Sequence, residues 1–201
     1  MSWEANLQSA ETGAEVHRLP SGMAMPATIS ARQLQKTDFP PVSWIVRDLL
    51  PEGVTVLAGK PTLAKSWLAL QSGHAVASDG EVLGRPVSDG CVLYAAREDN
   101  NRRLKSRLQK MAPLVDDWPE RYHLATEWPR LDAGGLEALE AWIHDHPDAR
   151  LIIIDTLATV RPAGSPRDNQ YQSDYEVVRG LHGLASQYGI AIVIVHHVRK
   201  A

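Results

Sequence analysis

The segment from Gly59 to Ser66, Gly-Lys-Pro-Thr-Leu-Ala-Lys-Ser, has the residue types and the spacing of a loop that binds phosphate groups. In such a loop, backbone N–H groups at the start of a helix surround the phosphate oxygens. Lys65 adds an ammonium group, and the hydroxyl of Ser66 is a ligand for Mg²⁺. The pattern therefore predicts a nucleotide-binding loop, with contacts from Gly59, Lys60, Pro61, Thr62, Leu63, Ala64, Lys65, Ser66 and Trp67.

Ala64 departs from this pattern, which has its second glycine at that position. A methyl group there points toward the place where the phosphate must approach the backbone. Either nucleotide binds weakly, or the loop shifts to admit it.

Acidic side chains follow two other apolar segments. Asp155 comes directly after Leu151-Ile-Ile-Ile, and we predict that it completes an Mg²⁺ site with Ser66. Glu98 and Asp99 follow another apolar segment, where a carboxylate can orient and deprotonate the water that attacks a γ-phosphate. We assign this role to Glu98. The alternative is that the acidic pair caps the helix that follows.

Polar residues follow the six apolar residues 190–195, in the segment His196-His-Val-Arg-Lys200. A histidine there can sense the γ-phosphate, and Arg199 or Lys200 can act as an arginine-finger-like cation, in the same chain or toward a neighbour. His196 and His197 should not bind one metal ion together, because adjacent residues of a strand point to opposite faces.

These residues require a parallel sheet, since the carboxyl ends of parallel strands meet at one edge, where ligands bind. Short apolar segments alternate with longer amphipathic ones, which predicts an α/β fold with helices covering a mainly parallel sheet. The strands are predicted at 54–58, 91–96, 122–125, 151–154 and 190–195. Strands 151–154 and 190–195 are apolar on both faces, so we predict that they form the middle of the sheet.

Helices are predicted over 65–78, 101–111, 135–144 and 174–188, the last one ended by Gly189. We interpret Trp67 and Trp142 as core residues of these helices. The many basic residues of helix 101–111 are interpreted as a solvated face, with a nucleic-acid patch as the alternative. The loop 161–173 contains cations and an aromatic residue, which suits either contacts with single-stranded nucleic acid or a plain surface connection.

Composition narrows the functional class. The chain has 201 residues and a formal charge of −3, so there is no global attraction to a polyanion. A single cysteine fits a reducing compartment, and the longest apolar run is far shorter than the roughly 18 residues that span a membrane. We therefore expect a cytoplasmic protein with a tail or lead-in over 1–37, followed by one domain over 38–201.

With these motifs, the chain resembles RecA-fold AAA-type ATPases of the hexameric replicative-helicase group, close to the RepA-like proteins of plasmids and prophages. The resemblance runs from about Asp38 to Ala201. It is carried by Asp38-Phe-Pro-Pro-Val with Leu50-Pro-Glu-Gly, Gly59-Lys-Pro through Lys65-Ser-Trp-Leu-Ala-Leu, Val92-Leu-Tyr with Glu98-Asp-Asn, Asp155-Thr-Leu-Ala with Arg161-Pro, Asn169-x-Tyr171-x-x-Asp174, and His196-His-x-Arg-Lys-Ala.

The resemblance implies a RecA-like P-loop NTPase fold with helices on both faces of the sheet, and ATP and Mg²⁺ as cofactors. It implies Glu98 as the catalytic base, and His197, Arg199 and Lys200 beside the γ-phosphate or a neighbouring subunit's site. A hexameric homo-oligomer and single-stranded DNA are the implied partners. Family members have glycine in place of Ala64 and continue beyond the His-His-x-Arg-Lys run. We therefore expect a truncated copy in which one sheet edge lacks a partner.

The sequence thus favours an ATPase linked to DNA unwinding or to replication of a mobile element. The alternative is a decayed or regulatory nucleotide-binding module without catalysis, which acts by associating with intact subunits. A monomeric phosphate-loop kinase would need an acceptor-binding lid, for which the sequence offers no support.

Overall fold

The computed structural model describes residues 28–60, 63–114, 116–160 and 170–197. The chain divides between Pro40 and Pro41 into two units. The described part of the first unit contains helix α1 (Ala31–Gln35). This helix begins with a capping box, in which Ser30 and Gln33 each accept a hydrogen bond from the other's backbone N–H.

The second unit contains alternating strands and helices. In chain order, its elements are β1 (Trp44–Val46), β2 (Leu50–Pro51), β3 (Gly53–Gly59), α2 (Lys65–Ala77), β4 (Glu81–Val82), β5 (Arg85–Pro86), β6 (Cys91–Ala96), α3 (Asn101–Met111), β7 (Tyr122–Ala125), a π-helical turn (Leu131–Gly135), α4 (Leu136–Asp145), β8 (Ala149–Asp155), α5 (Leu157–Val160), α6 (Gln170–Tyr188) and β9 (Ala191–His197).

The main sheet is parallel throughout, and among the described residues its strand order is β3-β9-β8-β6-β7. Residues Leu151 and Ile153 of β8 pack in one hydrophobic cluster with α2 and α3. The intervening Ile152 and Ile154 pack in a second cluster with α4, α5 and α6. Helices therefore cover both faces of the sheet, and the predicted α/β P-loop NTPase fold is confirmed.

The two strands predicted for the middle of the sheet are interior strands. β8 is the central strand, and β9 lies between β3 and β8. Within the described part of the chain, the sheet ends at β3 and β7 rather than at the last strand in sequence. Val56 of β3 is 49% exposed, whereas Ile192 and Ile194 of β9 are buried. Burial on both faces explains why the interior strands are continuous apolar runs.

Most predicted boundaries agree with the structure to within two residues. The main exception is α6, which begins at Gln170, so the predicted loop 161–173 is wrong over 170–173. The apolar stripe of this helix, with Val177, Leu181 and Leu184 buried, stabilises it from the core side, and the helix extends one turn toward its N-terminus. Gly189 has φ +62°, as expected for a residue that ends a helix.

The short strands β1, β2, β4 and β5 were missed because two or three residues cannot show an alternating pattern. They form two antiparallel pairs, β1 with β2 and β4 with β5.

Candidate functional site

The phosphate loop connects the end of β3 to the start of α2, as its sequence predicts. Ala64 precedes the first residue of α2 and has φ +53° and ψ 18°, in the left-handed region. This conformation is open to glycine at no steric cost but is costly for alanine by about 1–2 kcal/mol. The left-handed backbone at position 64 thus explains why the phosphate-loop pattern has glycine there. Pro61 and Thr62 lie outside the described residues.

Lys65 is buried, with 6% of its surface exposed, although its side chain is charged. Its Nζ donates hydrogen bonds to the carbonyl oxygens of Gly59 at 2.9 Å and Lys60 at 2.7 Å. An ammonium group has three N–H donors, so it can bind one more acceptor while keeping these two. The loop therefore fixes the ammonium group at the N-terminus of a 13-residue helix, where an anion is stabilised.

Two adjoining cavities lie along this loop. The larger has a volume of about 640 Å³ and is lined by Leu63, Ala64, Lys65, Ser66, Trp67, Arg103, Ser106, Arg107, Lys110 and His197. The smaller has a volume of about 100 Å³ and is lined by Ser66, Ala96, Glu98, Asp99, Arg103, Arg107 and Asp155. The structure thus brings Ser66 together with Glu98 and Asp155, and it places His197 beside the loop.

Asp155 is the last residue of β8 and is 6% exposed. Its Oδ2 accepts a hydrogen bond of 2.6 Å from the hydroxyl of Tyr94, a buried residue of the neighbouring strand β6. The same hydroxyl lies 3.5 Å from the carbonyl oxygen of Ser66. Burial, followed by the negative charge of Asp155, raises the pKa of Tyr94, so the phenol keeps its proton and remains a donor. The position of Tyr94 on an apolar strand indicates a core residue, so the sequence pattern does not reveal the role of its hydroxyl.

Glu98 lines the smaller cavity, and its Oε1 accepts a hydrogen bond of 2.7 Å from the hydroxyl of Thr156. The side chain of Asp99 is instead only 7% exposed and forms ion pairs with Arg103 at 3.1 Å and Arg107 at 2.7 Å. The alternative prediction, in which Glu98 and Asp99 cap α3, is wrong because neither residue is the N-cap. Asn100 is the N-cap, and its side chain accepts a hydrogen bond of 3.0 Å from the N–H of Arg103.

The interpretation of α3 as a solvated basic helix is wrong for Arg107, whose side chain is only 16% exposed. Leu104 and Leu108 bury one face of α3, and this orientation turns Arg107 toward the phosphate loop. Its Cζ lies 4.9 Å from the centre of the Trp67 ring. Trp67 is 40% exposed and lines the larger cavity, so the prediction that it is a core residue is also wrong.

His197 is the last residue of β9 and pairs in register with Gly59 at the end of β3. This pairing places it at the loop. Its Nδ1 is buried and has no hydrogen-bond partner in the described part of the chain. Arg199 and Lys200, and the segment 161–169 proposed for nucleic-acid contacts, lie outside the described residues.

A family model described as an AAA domain matches residues 20–201. The chain belongs to the AAA-type ATPase family. No curated protein matches the chain in a sequence search. Among the helices that the structure describes, none is both long and apolar enough to cross a bilayer.

Membership of the AAA-type ATPase family implies a nucleotide and, in most members, Mg²⁺. The donor set fits both groups. Lys65 and the N-terminus of α2 suit the phosphate oxygens, and the Ser66 hydroxyl and the Asp155 carboxylate on one cavity suit Mg²⁺. A bound Mg²⁺ would neutralise charge on the phosphate oxygens. The AAA domain also has two buried nitrogen atoms without partners beside this site, Nε of Arg107 and Nδ1 of His197, counted over the described residues.

Proposed function

We propose that this AAA domain binds Mg-ATP in the larger cavity and hydrolyses it to ADP and phosphate. The observation that carries the proposal is the convergence of Ser66, Glu98 and Asp155 on the smaller cavity that adjoins the phosphate loop. A triphosphate held by Lys65 and the start of α2 would present its terminal phosphate to these groups.

In this mechanism, Lys65 binds phosphate oxygens, and Ser66 and Asp155 hold the Mg²⁺. Glu98 orients a water molecule and accepts its proton while the water oxygen bonds to the γ-phosphorus. The bond from that phosphorus to the oxygen bridging the β- and γ-phosphates breaks, and the electrons leave with ADP. Thr156 supports Glu98 because its hydroxyl hydrogen bond fixes one carboxylate oxygen.

We assign His197 to contact with the γ-phosphate, which its place on the larger cavity supports. Arg199 and Lys200 follow it in sequence and supply cations, either to the same site or to that of a neighbouring subunit. This second arrangement requires a homo-oligomer, for which the resemblance to RepA-like helicases suggests a hexamer.

By the same resemblance, the ATPase acts in the cytoplasm on single-stranded DNA, in unwinding or in replication of a mobile element. The test is DNA binding at low and at physiological salt. Affinity for a single-stranded oligonucleotide that falls as salt rises supports the proposal. Absence of binding at low salt removes the DNA-linked part and leaves the ATPase part standing.

A second candidate is a regulatory module that binds nucleotide weakly and does not hydrolyse it. The left-handed conformation of Ala64 favours this candidate, because alanine is strained in that conformation and Ala64 lines the larger cavity.

Titration calorimetry with Mg-ATP and phosphate-release assays separate the two candidates. The unaltered chain is compared with Lys65→Ala, Glu98→Gln and Ala64→Gly. Turnover by the unaltered chain that is lost in Glu98→Gln supports the ATPase. Binding by Ala64→Gly alone supports the regulatory module, and turnover that survives in Glu98→Gln removes Glu98 from its role.

A further inference from the structure

Arg107 is a cation whose side chain is only 16% exposed and which the motifs of the sequence do not include. Its guanidinium group is held from two sides: Nη1 donates to Oδ2 of Asp99 at 2.7 Å, and the Trp67 ring lies 4.9 Å from Cζ. Its Nε is buried and has no hydrogen-bond partner within the residues that the structure describes. The group is therefore fixed in place while one of its N–H donors lacks an acceptor.

The charge around Arg107 points to an anion as the missing acceptor. The larger cavity is lined by Lys65, Arg103, Arg107 and Lys110, and its described lining contains no carboxylate. Asp99 balances part of this charge from the smaller cavity. Buried cations are stabilised by a bound anion, and phosphate accepts hydrogen bonds from the planar arginine fork.

The position of Arg107 indicates which phosphate it binds. Arg107 lines both cavities, as does Ser66. It therefore lies where the larger cavity, beside the phosphate loop, adjoins the smaller cavity lined by Glu98 and Asp155. A phosphate at that junction is the one that faces the attacking water, which is the terminal phosphate of a triphosphate.

We propose that Arg107 binds the γ-phosphate from within the same chain, with Asp99 as its positioning residue, so that the site distinguishes ATP from ADP. This inference rests on the proposed nucleotide site and deepens it. The cation comes from α3 of the chain that carries the phosphate loop and needs no neighbouring subunit.

The test measures dissociation constants for Mg-ATP and Mg-ADP by titration calorimetry in the unaltered chain, Arg107→Ala and Arg107→Lys. Arg107→Ala should weaken ATP binding by about 10- to 100-fold and ADP binding by less than about threefold, since only ATP has the γ-phosphate. Arg107→Lys keeps the positive charge but lacks the planar guanidinium group that can donate two parallel hydrogen bonds. It should therefore bind ATP more tightly than Arg107→Ala does, and less tightly than the unaltered chain. Lys105→Ala is the matched control, because Lys105 is an exposed cation of α3 that lines neither cavity.

Equal weakening of ATP and ADP, or no weakening of either, overturns the role of Arg107. If Lys65→Ala abolishes binding while Arg107→Ala leaves the ratio of the two constants unchanged, the nucleotide site survives and the inference about Arg107 fails. If the unaltered chain binds neither nucleotide, the series is repeated in the Ala64→Gly background, and no binding there overturns both. Should Arg107→Ala not fold, as judged by circular dichroism, Arg107→Lys and Asp99→Asn must still lower the preference for ATP.

Discussion

The hydroxyl of Tyr94 donates a hydrogen bond of 2.6 Å to Oδ2 of Asp155 across two adjacent buried strands. The carboxylate is only 6% exposed, and the phenol keeps its proton because burial and the nearby charge raise the pKa of Tyr94. One carboxylate oxygen is thus fixed by the fold. The same bond restricts the orientation of the Asp155 carboxylate, and Asp155 lines the smaller cavity.

Replacing Tyr94 by phenylalanine tests this positioning role. Tyr94→Phe keeps the ring but leaves a buried carboxylate without its donor, so the free energy of unfolding in urea should fall by about 1–3 kcal/mol. The Mg²⁺ concentration that gives half-maximal ATP hydrolysis should rise by about 10-fold or more, since Asp155 is held less firmly.

Tyr122→Phe is the matched control for this change. Tyr122 is a buried tyrosine whose hydroxyl donates to the carbonyl oxygen of Leu70 at 2.9 Å and not to Asp155. It should lose stability without any change in the Mg²⁺ requirement. Equal Mg²⁺ requirements for the two variants would show that Tyr94 has only a structural role.

The left-handed conformation of Ala64 gives a prediction about stability that does not depend on nucleotide. Ala64→Gly should raise the free energy of unfolding in urea by about 1 kcal/mol, because glycine adopts φ +53° without steric cost. Ala69→Gly, in the interior of the same helix α2, should have the opposite sign, since glycine there increases the flexibility of the unfolded chain and removes a buried methyl group. Destabilisation by both substitutions would contradict the strain assigned to Ala64.

Thr156 supplies a test of how Glu98 is oriented. Thr156→Val keeps the shape of the side chain but removes the hydroxyl that bonds to Glu98 at 2.7 Å. We expect kcat for ATP hydrolysis to fall by about 10-fold with little change in KM, whereas Glu98→Gln should lower kcat by about 100-fold or more. The readout is steady-state phosphate release.

The control for Thr156 is Thr159→Val. The hydroxyl of Thr159 also makes a 2.7 Å hydrogen bond, but to the backbone carbonyl of Thr156 and not to Glu98. A fall in kcat of the same size in both valine variants would assign the effect to the local backbone instead of to the carboxylate.

The sequence predicts well those features that depend on contiguous residues. The phosphate loop, the strand before Asp155 and the bounds of α3 each follow from a short segment with a fixed pattern. Arg107 and Tyr94 could not be assigned to the site in this way. Their environment depends on how α3 and β6 pack against α2 and β8, which is determined by contacts between residues far apart in sequence. The sequence offers one indication of Arg107, which is that the predicted helix 101–111 carries many basic residues in a chain that also has a phosphate loop.

The lowered pKa values of His74 and His123 should make the free energy of unfolding depend on pH. Burial lowers the pKa of both, and for His123 the nearby His146, whose ring centre is 4.4 Å away, lowers it further while Asp148 opposes this. The unfolded chain therefore binds more protons below pH about 6.5, the ordinary pKa of histidine. The contribution of these two histidines to the free energy of unfolding should be fully present above this pH. It should decrease as the pH falls toward 5.

Urea denaturation between pH about 7 and about 5 measures this decrease, a window set by the ordinary histidine pKa. His123→Phe keeps a ring against His146 but cannot bind a proton, so the decrease should become shallower, with the contribution of His74 remaining. His182→Gln alters an exposed histidine of α6 and should leave the slope unchanged. Asp148 does not interfere, because its lowered pKa affects stability only below the ordinary carboxyl value of about 4. A slope for His123→Phe equal to that of the unaltered chain would show that His123 makes no contribution to the pH dependence.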